Sequence, residues 1–196
     1  MITNHTELLN ALAEKYGLNN YLEIGVQSKS QNYNKIICQN KTGVDPAVLE
    51  PGIKRMTSDE YFAAIENNDS KPVFDLIFID GLHHADQVKR DFENSLKYLS
   101  DTGYIVIHDV LPENEAGTKV PRETKQWWGD VYKFVMNLDC FTGIRWKTFN
   151  IDNGCCMVWK VYVPTEFKYD WKDFNWNNYM NEINRGVLNI SDAVKI

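Results

Sequence analysis

Two apolar runs, "VFDLIFID" at 73–80 and "GYIVIHDV" at 103–110, constrain the fold of this 196-residue chain more than any other feature. Continuous apolar runs of this length are typical of parallel strands that are buried on both faces of a sheet. A helix is predicted between them, from about 85 to 99, with a single apolar stripe made of Val88, Phe92, Leu96 and Leu99. Because parallel strands need a crossover connection, the three segments predict a β-α-β unit.

The rest of the chain repeats this alternation of helices and strands. Helices are predicted at 6–16, 58–67 and 129–138, with a weaker candidate at 30–38, and strands at 20–26 and 41–46. Asn153-Gly154, between two further strand-like segments, is the strongest hairpin signal. We therefore predict a single Rossmann-like, doubly wound α/β sheet of about seven strands, mostly parallel, with a C-terminal antiparallel hairpin and helices on both faces.

Length and composition suit one globular domain over 1–196, with an N-terminal helix at 1–19, a core at 20–163 and a helical appendage at 164–196. The net charge of −6 argues against general nucleic-acid or anionic-membrane binding. No apolar run approaches the ~20 residues of a membrane span. The absence of a secretory pattern and of a C-x-x-C spacing among the four cysteines predicts a reduced, cytoplasmic protein.

Polar residues and glycine stand where four of the predicted strands end. They are Glu23 with Gly25, Asp45, Asp80, and His108 with Asp109. Ligands of open α/β sheets bind outside the carboxyl ends of the strands, so we expect these residues to line one site. Asp45 follows Gly25 by 20 residues, a spacing that suits an acid on the two ribose hydroxyls of a nucleoside. Because "GVQSKS" replaces the full glycine fingerprint, a cofactor without phosphates fits better than NAD or FAD.

The segments "YLEIGV", "TGVDP" and "FDLIFIDGLHHADQVKRDFENSLKYLSDTGYIVIHDV" resemble, in order and spacing, the class I S-adenosylmethionine-dependent methyltransferases. Within that family they are most similar to the small-molecule and sugar O-methyltransferases with D-G-x-H and H-D motifs, over about residues 20–160. The resemblance implies S-adenosylmethionine as cofactor. The cofactor-binding residues that it implies are Glu23, Gly25, Ser28, Asp45, Ser58, Asp59 and Asp80.

The resemblance also implies two ways to activate an acceptor hydroxyl. Relatives such as catechol O-methyltransferase hold a divalent metal at the positions of Asp80 and Asp109, and His108 would be the third ligand here, for Mg²⁺ or Mn²⁺. Alternatively, a histidine acts as general base, with His84 as first choice and His83 as second because both follow the flexible Gly81 turn, beside Asp80.

Plainer structural roles are open for the same residues. Asp80 could cap the helix that begins near Ala85, which would leave His83 and His84 as surface turn residues. Trp127, Trp128 and Asp130 could form a lid or substrate wall, or they could simply cover the core. The aromatic tail from Trp171 to Tyr179 is expected to pack on the domain or on a second subunit of a homo-oligomer.

The leading hypothesis is an O-methyltransferase that acts on a small hydroxylated acceptor, such as a sugar or sugar nucleotide, by a single in-line displacement. A non-catalytic Rossmann-like binding protein is the first alternative, because the loop after Gly25 is altered. A dinucleotide-dependent oxidoreductase is a weaker alternative, since the glycine loop is degenerate and no Tyr-x-x-x-Lys pair stands at a suitable place.

Overall fold

A computed structural model describes residues 1–141, 143–160, 175–184 and 190–191. Much of the predicted appendage at 164–196, including Trp171 and Phe174, lies outside the described residues. None of the helices in the described ranges is long and apolar enough to cross a membrane.

Helices and strands alternate to build one sheet, which has eight strands within the described ranges. The strands are β1 (Asn20–Ile24), β2 (Asn40–Val44), β3 (Ile53–Lys54), β4 (Phe74–Ile79), β5 (Leu99–Ile107), β6 (Arg145–Phe149), β7 (Cys155–Trp159) and β8 (Ile190–Ser191). The helices are α1 (His5–Tyr16), α2 (Ser58–Glu66), α3 (Ala85–Tyr98), α4 (Val131–Val135) and α5 (Trp176–Asn184).

The strand order is β3-β2-β1-β4-β5-β7-β6-β8. Strand β7 runs antiparallel to both β5 and β6, and the other pairs are parallel. This confirms the predicted doubly wound sheet with an antiparallel C-terminal hairpin. The order reverses between β1 and β4, where an open sheet leaves a crevice at the carboxyl ends of its strands.

Alternating residues of the central strands supply two apolar cores, one on each face of the sheet. Leu22, Ile77 and Ile105 pack on the side of α2, α3 and α4. Their neighbours Tyr21, Leu76 and Val106 pack on the side of α1. Full burial of such side chains contributes about 1.5–3 kcal/mol each, which fixes the register of the strands and therefore the positions of their ends.

Three predicted segments differ most from the structure in extent. Strand β5 begins directly after α3 and ends before His108, because Asp109 has a left-handed φ of 57° that no strand can continue. The weak helix at 30–38 is only a 3₁₀ turn, Tyr33–Lys35. The helix predicted at 129–138 is shortened to α4. The short strands β3 and β8 were not predicted.

Candidate active site

A cavity of about 720 Å³ opens at the carboxyl ends of β1, β2, β4 and β5. Hydrogen bonds between backbone groups hold these ends level: Asp80 N donates to Ile24 O (2.9 Å) and His108 N to Ile79 O (3.1 Å). The structure therefore brings most of the predicted site residues to one wall. Those that line the cavity are Glu23, Gly25, Asp45, Ser58, Asp80, His83, His108 and Asp109.

Three predicted site residues do not line the cavity. Ser28 places its Oγ 3.0 Å from Ser30 Oγ, and Asp59 forms an ion pair with Arg90 on the outside of α2 and α3. His84 is the N-cap residue of α3, and its ring lies edge-on to Trp127. Of the two adjacent histidines, the structure thus places His83 at the cavity.

Two residues shape the loops that follow β1 and β2 at the cavity. Gly25 has a φ of 86°, and a Cβ there would lie 2.1 Å from the Asp80 carbonyl oxygen, so only glycine fits between the ends of β1 and β4. Asp45 Oδ2 accepts from Gln27 N (2.9 Å), and its Oδ1 accepts from Ala47 N (2.8 Å). Its carboxylate therefore joins the loop after β1 to the loop after β2.

Glu23 lies under the same loops and is only 1% exposed. Burial raises its pKa to about 7, against the opposing effect of hydrogen bonds from Tyr21 Oη (2.6 Å) and Asn32 Nδ2 (2.9 Å). The carboxyl group therefore exchanges a proton near neutral pH.

Asp80 is held between two histidines. His108 Nδ1 lies 3.1 Å and His83 Nε2 lies 3.5 Å from Asp80 Oδ1. Burial opposes ionisation of Asp80, but the charges and hydrogen bonds of the two imidazoles hold its pKa well below the usual range. Burial would likewise lower the pKa of His108, and the Asp80 carboxylate instead raises it to about 10.

Asp109 faces the same imidazoles from the end of β5. Its Oδ2 lies 3.3 Å from His83 Nδ1, and its Oδ1 lies 3.6 Å from His108 Nδ1. Burial raises the pKa of Asp109. Its Oδ1 is fully buried and has no hydrogen-bond partner in the described part of the chain, which is an unusual state for a carboxylate oxygen.

The cluster of Asp80, His83 and Asp109 offers one ligand atom from each residue within 4.8 Å of one another. Two carboxylates and an imidazole suit a divalent ion of the Mg²⁺ or Mn²⁺ type. Such an ion would coordinate the Asp109 Oδ1 atom, which has no hydrogen-bond partner in the described part of the chain. His108, which we predicted as the third ligand, contacts both carboxylates but also belongs to a second cluster, with His5 and Asp152.

Sequence analysis did not predict this second cluster. His5, the first residue of α1, bonds through Nδ1 to Asp152 Oδ2 (2.5 Å), and its ring stacks on Phe78 with centroids 5.2 Å apart. The hydrogen bond from His5 lowers the pKa of Asp152. His108 Nε2 in turn lies 2.6 Å from the Asp152 carbonyl oxygen. His5 and Asp152 are separated by 147 residues in the chain, so no local pattern could pair them.

The loop between β5 and α4 packs against His83. Trp127 stacks on the His83 ring at 5.2 Å between centroids, and Trp128 is buried against Gly117. Asp130 Oδ1 accepts from Ala85 N (2.6 Å), so Asp130 performs the capping of α3 that we considered for Asp80. Trp128 thus covers the core, whereas Trp127 covers a histidine of the cavity.

Fold and cavity together define a doubly wound α/β protein with a ligand site of polar residues at the switch in strand order. A family model described as "Methyltransferase domain" matches residues 13–110, which are 98 of the 196 residues. The chain therefore belongs to this methyltransferase family, which confirms the resemblance to class I S-adenosylmethionine-dependent methyltransferases. No curated protein matches the sequence.

Solved structures of methyltransferases share the fold. An O-methyltransferase from Bacillus cereus, in complex with S-adenosylhomocysteine (SAH), is 17% identical with a TM-score of 0.60, over 80% of each chain. TomG from Streptomyces achromogenes, an O-methyltransferase in complex with S-adenosylmethionine, is 14% identical with a TM-score of 0.57, over 79% of this chain and 78% of its own. MycE from the mycinamycin biosynthetic pathway, in complex with Mg, SAH and mycinamycin VI, is 14% identical with a TM-score of 0.51, over 85% of this chain and 51% of its own.

Proposed function

We propose that the protein transfers a methyl group from S-adenosylmethionine to a hydroxyl group of a small acceptor, such as a sugar or sugar nucleotide. The observation that carries this proposal is a single cavity with two chemically distinct ends. One end presents Asp45 and Ser58, and the other presents the Asp80–His83–Asp109 cluster. A nucleoside suits the first end, and a hydroxyl that needs activation suits the second.

The cofactor roles follow the order of the residues along the cavity wall. Asp45 Oδ1 accepts from both Ala47 N (2.8 Å) and Val48 N (3.1 Å), which fixes the carboxylate, whereas Oδ2 accepts only from Gln27 N and keeps a second lone pair that can accept a ribose hydroxyl. Gly25 lets the turn after β1 pack directly against the Asp80 carbonyl, which fixes the backbone of that turn where the amino-acid part of the cofactor would bind. Ser58, at the start of α2, lies where the adenine ring would be held. The complexes of the B. cereus enzyme and of TomG support this choice of cofactor.

A divalent metal would be held by Asp80, Asp109 and His83, with His108 as the alternative imidazole. The donor set and the orphaned Asp109 Oδ1 fit such an ion. When bound, the ion would act as a Lewis acid that lowers the pKa of the acceptor hydroxyl. Mg in the MycE complex supports this assignment.

Titration calorimetry with SAH tests the cofactor assignment. We expect micromolar binding to the wild-type protein and loss of binding in Asp45→Ala. Asp59→Ala is the matched control, because Asp59 is an acid nearby that lies outside the cavity, and it should bind SAH as the wild type does. Absence of SAH binding to the wild type, with and without Mn²⁺, would refute the proposal. SAH binding without transfer to any hydroxylated acceptor in a labelled-methyl screen would favour a non-catalytic binding protein.

A further inference from the structure

We infer that His5 is the general base that accepts the proton of the acceptor hydroxyl, and that Asp152 orients it. This inference rests on the proposed function and names a further catalytic residue for it. His5 stands at the first position of α1 and lines the cavity, whereas Asp152 comes from the turn between β6 and β7.

The geometry of this pair is that of an oriented imidazole. Asp152 Oδ2 lies 2.5 Å from His5 Nδ1 and also accepts from the His5 backbone N–H (3.2 Å). A carboxylate on Nδ1 selects the tautomer in which Nδ1 carries the proton, which leaves Nε2 as an acceptor. Within the described residues, Nε2 of His5 has no hydrogen-bond partner. Phe78 and His108 pack against the ring, with centroids 5.2 and 4.7 Å away, and fix its plane.

The other histidines of the cavity have no nitrogen to spare. His83 faces Asp80 through Nε2 (3.5 Å), and its Nδ1 faces Asp109 (3.3 Å) and the Trp127 carbonyl oxygen (3.3 Å). His108 uses Nδ1 for Asp80 and Nε2 for the Asp152 carbonyl oxygen. His84 lies outside the cavity wall. An imidazole whose two nitrogens are both engaged cannot take a proton from a substrate without breaking a bond.

The step balances with the groups named. The hydroxyl proton passes to His5 Nε2, and the oxygen electron pair that remains forms the new bond to the methyl carbon. The bond from that carbon to the sulfonium breaks, and its electron pair neutralises the sulfur as a thioether. The resulting imidazolium is stabilised by the Asp152 carboxylate.

A transition metal on His5, His108 and Asp152 is the competing interpretation, since these side chains also offer ligand atoms within 4.8 Å. Such an ion would need His108 Nε2, which is only 2.6 Å from the Asp152 carbonyl oxygen. It would also need to separate His5 Nδ1 from Asp152 Oδ2, whose 2.5 Å contact is shorter than the distance between two ligands of one ion. The observed bonds therefore favour the base.

His5→Asn separates a catalytic role from a purely structural one. The asparagine Nδ2 takes the place of Nδ1 and can still donate to Asp152, but no basic nitrogen remains at the position of Nε2. With an acceptor found in the labelled-methyl screen, we expect kcat to fall about 100-fold or more, because general bases typically contribute 10²–10⁴-fold. KM and the affinity for SAH should stay within about threefold. A wild-type kcat in His5→Asn would overturn the inference, and His84→Ala should retain full activity.

Nitrogen NMR of the ¹⁵N-histidine-labelled complex with SAH needs no acceptor. We expect a protonated Nδ1 and an unprotonated Nε2 for His5, with the signals assigned by their loss in His5→Asn. If SAH binds but His5 carries its proton on Nε2, the inference is overturned and the proposed function stands. If the wild type does not bind SAH, the proposed function itself is overturned. Tight binding of Zn²⁺ alone, abolished in both His5→Asn and Asp152→Asn, would overturn the base in favour of a metal ligand.

Discussion

Glu23 links the protonation of one buried carboxyl group to the stability of the fold. Its folded-state pKa of about 7 lies above the ordinary value of 4.5, so the folded protein binds this proton more tightly than the unfolded chain does. The contribution is complete below the unfolded pKa and is lost as the pH rises through 7. From pH 5 to pH 8 we expect the wild type to lose about 2–3 kcal/mol through this group, a loss that Glu23→Gln should not show.

Urea unfolding gives the free energy of unfolding of both proteins at pH 5 and pH 8. The change between the two pH values in the wild type, minus the same change in Glu23→Gln, measures this loss. Other groups titrate as well: the raised pKa of His108 makes a contribution that declines above its unfolded pKa near 6.5. Because that contribution is common to both proteins, it cancels in the comparison. Equal pH dependence in the wild type and in Glu23→Gln would show that Glu23 stays ionised in the folded state.

At the residue scale, the sequence predicted those site residues that directly follow an apolar run. Asp45, Asp80 and Asp109 lie at the cavity because burial of the strands before them fixes where each strand ends. The choice between His83 and His84 could not be made, since it depends on where α3 begins and on the packing of Trp127. The role of His5 at the site could not be predicted, because its partner Asp152 is distant in sequence. A helix start has no sequence pattern that indicates which part of the fold it will contact.

Among the elements, the loop between β5 and α4 controls the turn that carries His83. Gly129 has a φ of 60°, and a Cβ there would lie 1.8 Å from the His83 carbonyl oxygen. Gly129→Ala must therefore displace either the loop or the turn. We expect it to destabilise the fold by more than the cost of left-handed backbone alone, which is about 1–2 kcal/mol, and to weaken Mn²⁺ binding by moving His83.

Gly52→Ala provides the matched control, since Gly52 has a φ of 85° but a Cβ there would have no neighbour within 4 Å. It should show only the backbone cost and should leave Mn²⁺ binding unchanged. Urea unfolding and manganese titration of the two variants measure both effects. Equal destabilisation of the two variants would mean that the loop yields to the added methyl group without a steric penalty.

Elements with a strong apolar pattern were predicted well, and elements defined by contacts between segments were not. The run at 73–80 gave β4 within two residues, and Asn153-Gly154 gave the turn between β6 and β7. Strand β5 was predicted to begin too late, because residues 100–102 are polar and the first part of the strand pairs with β4 only through Leu99. Strand β3 has only two residues, and its pairing with β2 rather than any periodicity defines it.

At the scale of the whole molecule, the cavity is lined both by residues that match the family model and by residues outside the matched segment. Residues 13–110 match the family model and contain the proposed cofactor and metal residues. His5 lies before this segment and Asp152 lies after it, and both contact His108 at the end of the matched segment. Under the proposed assignments, the shared segment would supply the methyl donor site and the metal ligands, and the flanking segments would supply the base that accepts the proton of the acceptor.

Thermal unfolding with SAH tests that division in one measurement. A ligand at about 100 times its Kd stabilises the folded state by about 2.7 kcal/mol, which for a chain of this size raises Tm by about 5–11 °C. We expect this shift in the wild type, none in Asp45→Ala, and a nearly full shift in His5→Asn. A threefold weaker affinity would reduce the shift in His5→Asn by only about 1–3 °C. Loss of the shift in His5→Asn would instead place His5 in the cofactor site, so that the segment before residue 13 would hold the methyl donor and not the acceptor.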